Sequence, residues 1–367
     1  MLQSSAMGAR AVMDVDWGWW GHCVDEYFLT NRIPMQNKLK ALSVVAIVTV
    51  LTAAISGWSS YATNTHVIES ARQNELRGVA KLIQNDLQEQ SDKAAARAAL
   101  VVHLTSIQQA FRKGDRKELE ERLAPAFEIQ RAKYGVLDAQ FHLAPATSFL
   151  RIYDPQEAHG EDLSGFREMV LATNRTNEAQ KGVEIGRRGL SIRGVDIVRD
   201  EHGAIGSFEV GISFSTVLAD LKKNAGFEAG AFVDAVKMAT IATQLPKPDS
   251  ERLIGAYQNV ESTNWKIVRA MVSGDILNDA KDVVTRIKSI DGVDYGLVAV
   301  PLLDYKGSRI GAIVAVKSFE DYQTLQISAL VRSVAFALLQ AVILAGAMLM
   351  LINVLLVPSQ APDVAKE

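Results

Sequence analysis

Two long apolar stretches without charge flank a central region of amphipathic pattern. The first covers residues 41–61 and the second covers 333–357. At about 1.5 Å per helical residue, each can cross a hydrocarbon core of about 30 Å. We therefore predict transmembrane helices at 39–61 and 333–357, with a cleaved signal peptide as the alternative for the first.

Basic residues predict the orientation. Lys38 and Lys40 precede the first span, and the next basic residue after it is Arg72. The positive-inside rule places the N-terminus in the cytoplasm and residues 62–332 outside. Met35 begins a sequence typical of a natural start before a membrane anchor.

The terminal segments are predicted to be tails. Residues 1–34 show no periodicity and are predicted to be an N-terminal tail or a misassigned start. Residues 358–367 are predicted to be a short cytoplasmic tail.

Helical spacing follows the first span. Residues 62–133 are predicted to form stalk and spine helices, and a helix of this length favours a dimer. Gly114 is predicted to end one helix, and Asp115 with Glu118 forms a capping box for the next. The apolar positions at helical spacing are Leu76, Val79, Ile83 and Leu87.

The pattern then alternates strands with short helices, which predicts an α+β fold. Two modules with antiparallel sheets are predicted, a membrane-distal one at 134–225 and a membrane-proximal one at 226–328. In the first, a helix at 165–179 is expected to be capped by Asp162 or Ser164. In the second, strands are expected at 238–243 and 265–271, among others, and a helix at 279–290.

A weak internal repeat supports duplication. "VDIVRDEHGAIGSFEVGIS" (195–213) aligns with "VPLLDYKGSRIGAIVAVKS" (300–318). Both are apolar strand, Asp, glycine turn, Ile-Gly and a second apolar strand. The alternative is that any hairpin with such a turn has this pattern.

Composition and motifs exclude several function classes. The net charge of −3 and the absence of a basic stripe argue against a nucleic-acid partner. The single cysteine, Cys23, excludes an intramolecular disulfide framework or a multi-cysteine zinc site. No nucleophile elbow, phosphate loop or HExxH motif is present. We therefore expect no enzyme, catalytic residue, cofactor or metal site; "HGED" (159–162) has metal-like composition, but a helix cap explains Asp162.

The whole pattern resembles the double Cache sensor domains of bacterial chemoreceptors and sensor kinases. The stretches that carry the resemblance are "LDAQFHLAPATSFLRIYDP", "GEDLSGFREMV" and "GLSIRGVDIV" through "GSFEVG". They are similar to the membrane-distal module of a methyl-accepting chemotaxis protein. Chemoreceptors continue into a methylated cytoplasmic hairpin after the second span, and this sequence has none, so the cytoplasmic signalling half is expected to be lacking.

The resemblance implies long N-terminal helices followed by two PAS-like modules, in a bacterial inner-membrane protein with residues 62–332 in the periplasm. It also implies a ligand site between the first sheet and the loops above it. Arg151 and Arg193 fit a carboxylate because a guanidinium matches two carboxylate oxygens. The predicted ligand-binding residues are Phe141, His142, Ser148, Phe149, Arg151, Ser191, Arg193 and Glu209.

Structural alternatives stay open for these residues. His142 is either a ligand residue or a satisfied core histidine, and Ser148 either faces the ligand or bonds the turn. Arg193 and Glu209 either bind ligand or form an ion pair across strands. Phe149 and Tyr153 either line the pocket or pack beneath it.

Two classes of function follow. The preferred one is a small-molecule sensor of the chemoreceptor type, which is homodimeric and signals by a shift of the second transmembrane helix. The alternative is a ligand-blind accessory or scaffold protein that partners a receptor or kinase, or a truncated receptor.

Overall fold

The computed structural model describes residues 35–157 and 159–356. The predicted tails at 1–34 and 358–367, and Val357 of the second predicted span, lie outside the described residues. The chain divides into two compact units. The central unit is Thr65–Ile327, and the flanking unit comprises the segments on either side of it.

Two helices of the described region are apolar and long enough to cross a membrane, by length and composition alone: Leu42–Val102 and Glu320–Leu351. Their most apolar windows are 6% and 0% buried, so these windows do not pack into a core of the described residues. Within the flanking unit the two helices touch, since a Cβ added at Gly57 would lie 2.9 Å from Cβ of Ala337. These helices fit the positions predicted from the sequence.

The elements confirm a mixed fold with a long N-terminal helix and two antiparallel sheets. The helices are α1 (Met35–Val102), α2 (Thr105–Arg112), α3 (Arg116–Tyr134), α4 (Glu168–Thr176), α5 (Phe214–Ala225), α6 (Ala235–Ile241), α7 (Trp265–Met271), α8 (Gly274–Asp279) and α9 (Glu320–Leu356). The strands are β1 (Val136–Leu143), β2 (Thr147–Arg151), β3 (Gln180–Gly186), β4 (Gly189–Asp200), β5 (Gly203–Ile212), β6 (Glu228–Asp234), β7 (Leu253–Ile254), β8 (Tyr257–Ser262), β9 (Val284–Ile290), β10 (Val293–Leu303) and β11 (Arg309–Ser318).

The helical spacing predicted for α1 is present in the packing. Leu76, Val79 and Ile83 are buried in the main hydrophobic core, and Leu87 packs against it. The cap predicted at the start of α3 is also present, because Asp115 Oδ1 accepts a hydrogen bond from the backbone N–H of Glu118 at 2.9 Å.

The two sheets share one strand order. The first runs β2-β1-β5-β4-β3, and the second runs β7-β8-β6-β11-β10-β9. Without the two-residue β7, β8 takes the place of β2, β6 of β1, β11 of β5, β10 of β4 and β9 of β3. The hairpins of the internal repeat, β4–β5 and β10–β11, are therefore equivalent.

Three predicted elements of the second module are wrong. The predicted strand at 265–271 is helix α7, because Asn264 caps it and Val268 and Met271 are buried three residues apart. The predicted strand at 238–243 falls mostly in helix α6, which Asp234 caps. Most of the predicted helix at 279–290 is strand β9, which pairs with β10 along seven residues.

The helix predicted at 165–179 is shorter and is not capped as expected. It begins at Glu168, and the residue before it, Arg167, forms no side-chain cap. Asp162 instead accepts a hydrogen bond from the N–H of Ser164 at 2.9 Å in the preceding turn. Because Arg167 does not cap the helix, its side chain is available for the site described below.

Candidate functional site

One face of the first sheet is polar although it is buried. Strand alternation and register bring nine polar or charged side chains to this face, each at most 4% exposed. They are Asp138, Gln140, His142, Ser148, Arg151, Ser191, Arg193, Ser207 and Glu209. Helix α4 packs against this sheet through β3, β4 and β5. A layer this polar is unusual, since buried charges are tolerated only when they are paired.

The charged side chains of this face form one cluster, called the charged cluster below. Arg193 and Glu209 lie at its centre. Arg193 Nη1 donates to Glu209 Oε1 at 3.0 Å. Its Nη2 lies 2.9 Å from Asp138 Oδ2 and 3.2 Å from Ser191 Oγ. Ser191 Oγ in turn donates to Asp138 Oδ2 at 3.2 Å. The ion pair across strands that the sequence left open is therefore present.

Arg167 joins this cluster from the start of α4. Both of its terminal nitrogens donate to Glu209, and its Nε donates to Glu184 Oε2 at 2.8 Å. The other oxygen of Glu184 accepts from the backbone N–H of Met169 at 2.8 Å. Glu184 on β3 thus supplies the cap that α4 lacks and holds Arg167 at the same time.

Arg151 and two half-exposed arginines complete the cluster at its edge. Arg151 Nη2 lies 2.5 Å from Glu161, and its Nε lies 3.2 Å from Glu157. Arg187 binds the other oxygen of Glu161 at 3.0 Å. Arg188 lies 3.4 Å from Asp138 Oδ1. At this edge three guanidiniums are therefore paired with three carboxylates, those of Glu157, Glu161 and Asp138.

The guanidiniums enclose a small cavity of about 20 Å³. Its lining is Asp138, Gln140, Arg151, Tyr153, Leu163, Phe166, Arg167, Arg187, Arg188, Arg193 and Glu209. A cavity of this size holds about one water molecule. The segment that carries Leu163, Phe166 and Arg167 forms the cover of the cavity opposite the sheet. A ligand with several heavy atoms therefore requires this cover to move away from the sheet.

Two glycines make room for Arg193. A Cβ at Gly186 would lie 2.6 Å from Nη2 of Arg193, and one at Gly211 would lie 3.4 Å from its Nη1. The first distance is shorter than an ordinary van der Waals contact, and the second lies at its lower limit. The cluster is thus built into the strands that surround it.

Burial and pairing set the pKa values in the cluster. Burial alone would raise the pKa of Glu209, but Arg167 and Arg193 lower it to about 2. For Arg167, burial lowers the pKa, and Glu209 and Glu184 outweigh it and raise the pKa. Burial raises the pKa of the Tyr153 hydroxyl. Glu209 and Arg167 are therefore ionised at neutral pH.

His142 is different because it has no partner. The side chain is 0% exposed, and neither ring nitrogen has a hydrogen bond within the described part of the chain. Burial lowers its pKa to about 3, with smaller contributions from Arg167, Arg193 and Arg151 that oppose the attraction of Glu209. The imidazole is therefore neutral and has no hydrogen-bond partner among the described residues.

The predicted site residues fall into three groups. Arg151, Arg193 and Glu209 line the cavity, and Ser191 contacts Arg193. Ser148 accepts a hydrogen bond from Gln140 at 2.9 Å, and His142 lies beside it on the same face. The two phenylalanines do not line the cavity: Phe141 stacks on Phe111 and contacts Phe208 at a tilt, and Phe149 contacts Phe111 edge to face.

Sequence reasoning did not identify several residues of the cavity and of the charged cluster. Asp138 and Gln140 were available from strand alternation, because they lie four and two residues before His142. Glu184 was available as a carboxylate in the apolar run "GVEIG". Arg167 had no such signal, since it lies in an irregular segment before α4.

The described residues contain no group of three or more His, Cys, Asp or Glu side chains that could hold a metal ion. In "HGED", Glu161 binds Arg151 and Arg187, and Asp162 bonds the turn. The carboxylates of Glu161 and Asp162 thus have partners within the protein.

The second sheet provides an internal comparison. Gly206 and Gly311 align by the repeat, and the ladders then fix the remaining equivalences. The alignment holds along β5 and β11, whereas β4 is displaced by one residue, so that Val195 corresponds to Ala299. Polar residues of the first sheet are equivalent in position to apolar residues of the second. In order, His142, Arg193, Ser207 and Glu209 correspond to Phe232, Leu297, Ala312 and Val314.

All four apolar counterparts lie in one hydrophobic cluster of the second module. The fold therefore forms without a polar layer at these positions. The polar face of the first sheet is a property of that module and not a requirement of the fold.

Three solved structures that are similar to this chain have low sequence identity to it. The sensory domain of the Campylobacter jejuni chemoreceptor Tlp3 with isoleucine bound is 11% identical, covers 73% of this chain and 98% of its own, and has a TM-score of 0.42. The extracellular domain of the putative histidine kinase vpHK1S-Z8 is 14% identical, with coverages of 71% and 97% and a TM-score of 0.41. The periplasmic domain of Vibrio cholerae LuxQ is 10% identical, with coverages of 66% and 98% and a TM-score of 0.41.

No curated protein matches the chain. The model of the family described as "Double sensory domain of two-component sensor kinase" matches residues 69–323, which is most of the chain and nearly all of the central unit. The two sheets with their shared strand order agree with that match, and the chain belongs to this double Cache family.

Proposed function

We propose that the protein is a membrane-anchored, extracytoplasmic sensor of a small anionic molecule, of the chemoreceptor type, and that the ligand binds at the polar face of the first sheet. The observation that carries this is the contrast between the two modules. Buried ion pairs are often no more stabilising than apolar residues of similar volume. Because Val314 occupies the position of Glu209 in the other module, the fold itself does not require a carboxylate there.

The membrane part of the proposal rests on the two apolar helices. Both would cross the bacterial inner membrane, and residues 62–332 would be periplasmic, as the positive-inside rule predicts. In this arrangement 134–225 is the membrane-distal module and 226–328 the membrane-proximal one. We also propose a homodimer through α1, on which Leu82 and Leu100 are exposed.

A hairpin of the second module gives the signal a route. The N–H of Tyr305, in the turn between β10 and β11, donates to the carbonyl of Val183 on β3 at 3.0 Å. The neighbouring Lys306 forms an ion pair with Glu168 at the start of α4. The turn therefore touches both elements that hold Arg167.

Movement of this turn would pass along β11 to α9, which begins two residues after that strand. Shifts of about 1–2 Å are typical of helices in such transitions. The ligand can bias the transition only by its differential affinity for the two states. We propose that displacement of Arg167 is the event that distinguishes them.

A second candidate is a ligand-blind scaffold that contacts a receptor or a sensor kinase. It is favoured by the closed state of the site, since the guanidiniums of Arg167 and Arg193 are already bound to protein carboxylates. The cavity also has room for only about one water molecule. In this case the polar layer would fix a shape and would not open.

Thermal unfolding of the full chain in detergent micelles distinguishes the two. The probes are small mono- and dicarboxylates, amino acids and amines at millimolar concentration, because a bound ligand raises the midpoint by mass action. A carboxylate that raises the midpoint supports the sensor. No shift with any probe would support the scaffold.

Arg151→Lys is the preferred site variant. It keeps the charge beside Glu157 and Glu161 but loses the planar fork, so it should reduce the shift. Arg112→Lys, at an exposed pair with Glu201, is the matched control. Arg193→Ala is less informative, because removing one partner of a buried pair costs about 3–5 kcal/mol by itself.

A further inference from the structure

Two buried polar residues next to the cavity have no partner. His142 on β1 and Ser207 on β5 are paired across the ladder, and both are 0% exposed. Neither ring nitrogen of His142 nor the hydroxyl of Ser207 forms a hydrogen bond within the described residues. Directly opposed side chains in an antiparallel ladder lie within contact distance. The two residues therefore form a polar patch, called the patch below, whose polar atoms have no hydrogen-bond partner among the described residues.

This patch is not required by the fold. Buried polar groups are almost always hydrogen-bonded, and an unsatisfied one lowers stability. The second module places Phe232 and Ala312 at the equivalent positions, where they are buried in its apolar core. An unsatisfied pair at these two positions is therefore a cost that the first module bears and the second avoids.

The patch is uncharged, whereas the groups around it are charged. Four charged groups act on His142: Glu209 of β5, Arg193 of β4, Arg151 of β2 and Arg167 before α4. Burial keeps the imidazole neutral at physiological pH, so it offers one donor and one acceptor. A neutral donor and acceptor suit a hydroxyl group better than an ion.

The position of the patch relates it to the arginines. Gln140 lines the cavity, and His142 follows it on the same face of β1. Residues two apart along a strand are separated by about 6.5–7 Å. One small molecule can therefore reach both the arginine cluster and the patch.

We propose that His142 and Ser207 form a subsite that binds the hydroxyl group of a small hydroxycarboxylate whose carboxylate is held by the arginines. This rests on the proposed function and narrows it, because it names a ligand class: carboxylates that carry a hydroxyl group a few bonds from the acid.

Matched pairs of acids test the proposal on the full chain in detergent micelles. The probes are lactate with propionate, malate with succinate, and serine with alanine, which differ only in a hydroxyl group. We expect the hydroxylated member of at least one pair to bind roughly tenfold more tightly, as one buried hydrogen bond implies. Dissociation constants come from the dependence of the unfolding midpoint on acid concentration.

Two variants copy the second module. His142→Phe and Ser207→Ala should each abolish the preference for the hydroxylated member while the other member binds as before. Without acid, neither should lower the unfolding midpoint. Ser207→Ala is the smaller change and decides the outcome if His142→Phe does not fold.

Each other result overturns the proposal. Equal binding within all three pairs, or a preference that survives both variants, would mean that the patch does not contact the ligand, for example because a water molecule fills it. A lower midpoint of Ser207→Ala without acid would assign the serine to folding. If none of the six acids binds, the proposed carboxylate sensor is wrong and the subsite is wrong with it. Equal binding within the pairs, in contrast, overturns only the subsite.

Discussion

The buried neutral imidazole of His142 should make the stability of the protein depend on pH. Its pKa is about 3 in the folded chain, compared with 6.5 for an ordinary histidine. Below pH 6.5 the unfolded chain therefore takes up a proton that the folded chain does not. Stability contributed by the neutral group is present above about pH 6.5 and is lost as the pH falls towards 3.

The size of the effect follows from the shift. Each unit of pH in this window changes the free energy of unfolding by about 1.4 kcal/mol, so lowering the pH from 6.5 to 5 should remove about 2 kcal/mol. Glu209 does not interfere, because its pKa is lowered from 4.5 to about 2 and its contribution is lost only below pH 4.5.

Urea unfolding of the full chain in detergent micelles at about pH 7.5 and pH 5 measures this effect. His142→Gln is the matched control, since it keeps a polar side chain that does not titrate. The wild type should lose about 2 kcal/mol more than the variant between the two pH values. If the two proteins lose stability in parallel, the imidazole is not buried and neutral, and the reasoning is wrong.

Three further predictions concern the contacts of the cluster. Glu209→Val should lower the free energy of unfolding by about 3–5 kcal/mol, because it removes the carboxylate that two buried arginines share, and adding Arg193→Leu should restore part of that loss in urea unfolding; a double variant less stable than the single one would contradict this. Gly186→Ala should displace the guanidinium of Arg193 and cost about 1–3 kcal/mol, whereas Gly78→Ala, with nothing within 4 Å, should stabilise α1 by up to about 1 kcal/mol; equal effects would refute the close approach. Tyr305→Pro removes the backbone N–H that donates to Val183 and should therefore increase hydrogen exchange along β3; unchanged exchange there would show that the turn does not support that strand.

The sequence predicts the first module better than the second. Strand alternation and glycine turns locate β1 to β5 because that module has long, regular strands. The same reasoning fails at 265–271, where β-branched residues suggest a strand but the cap at Asn264 starts a helix. It fails at 284–290 because β9 is an edge strand with a mixed pattern.

The site shows what alternation can and cannot predict. Phe141 and His142 are consecutive on β1, so they point to opposite faces, and only one of them can face the polar layer. The alternation rule thus indicates that Phe141 belongs to the apolar side, where its ring contacts that of Phe208. Arg167 is different, because its role depends on Glu184 and Glu209, which are brought to it by two separate strands.

The small volume of the cavity has a kinetic consequence. If the closed form admits about one water molecule, a ligand must wait until the cover has separated from the sheet. The measured affinity is then the intrinsic affinity reduced by the fraction of molecules that are open. We expect slow association that levels off at high ligand concentration, with a limiting rate equal to the rate of opening.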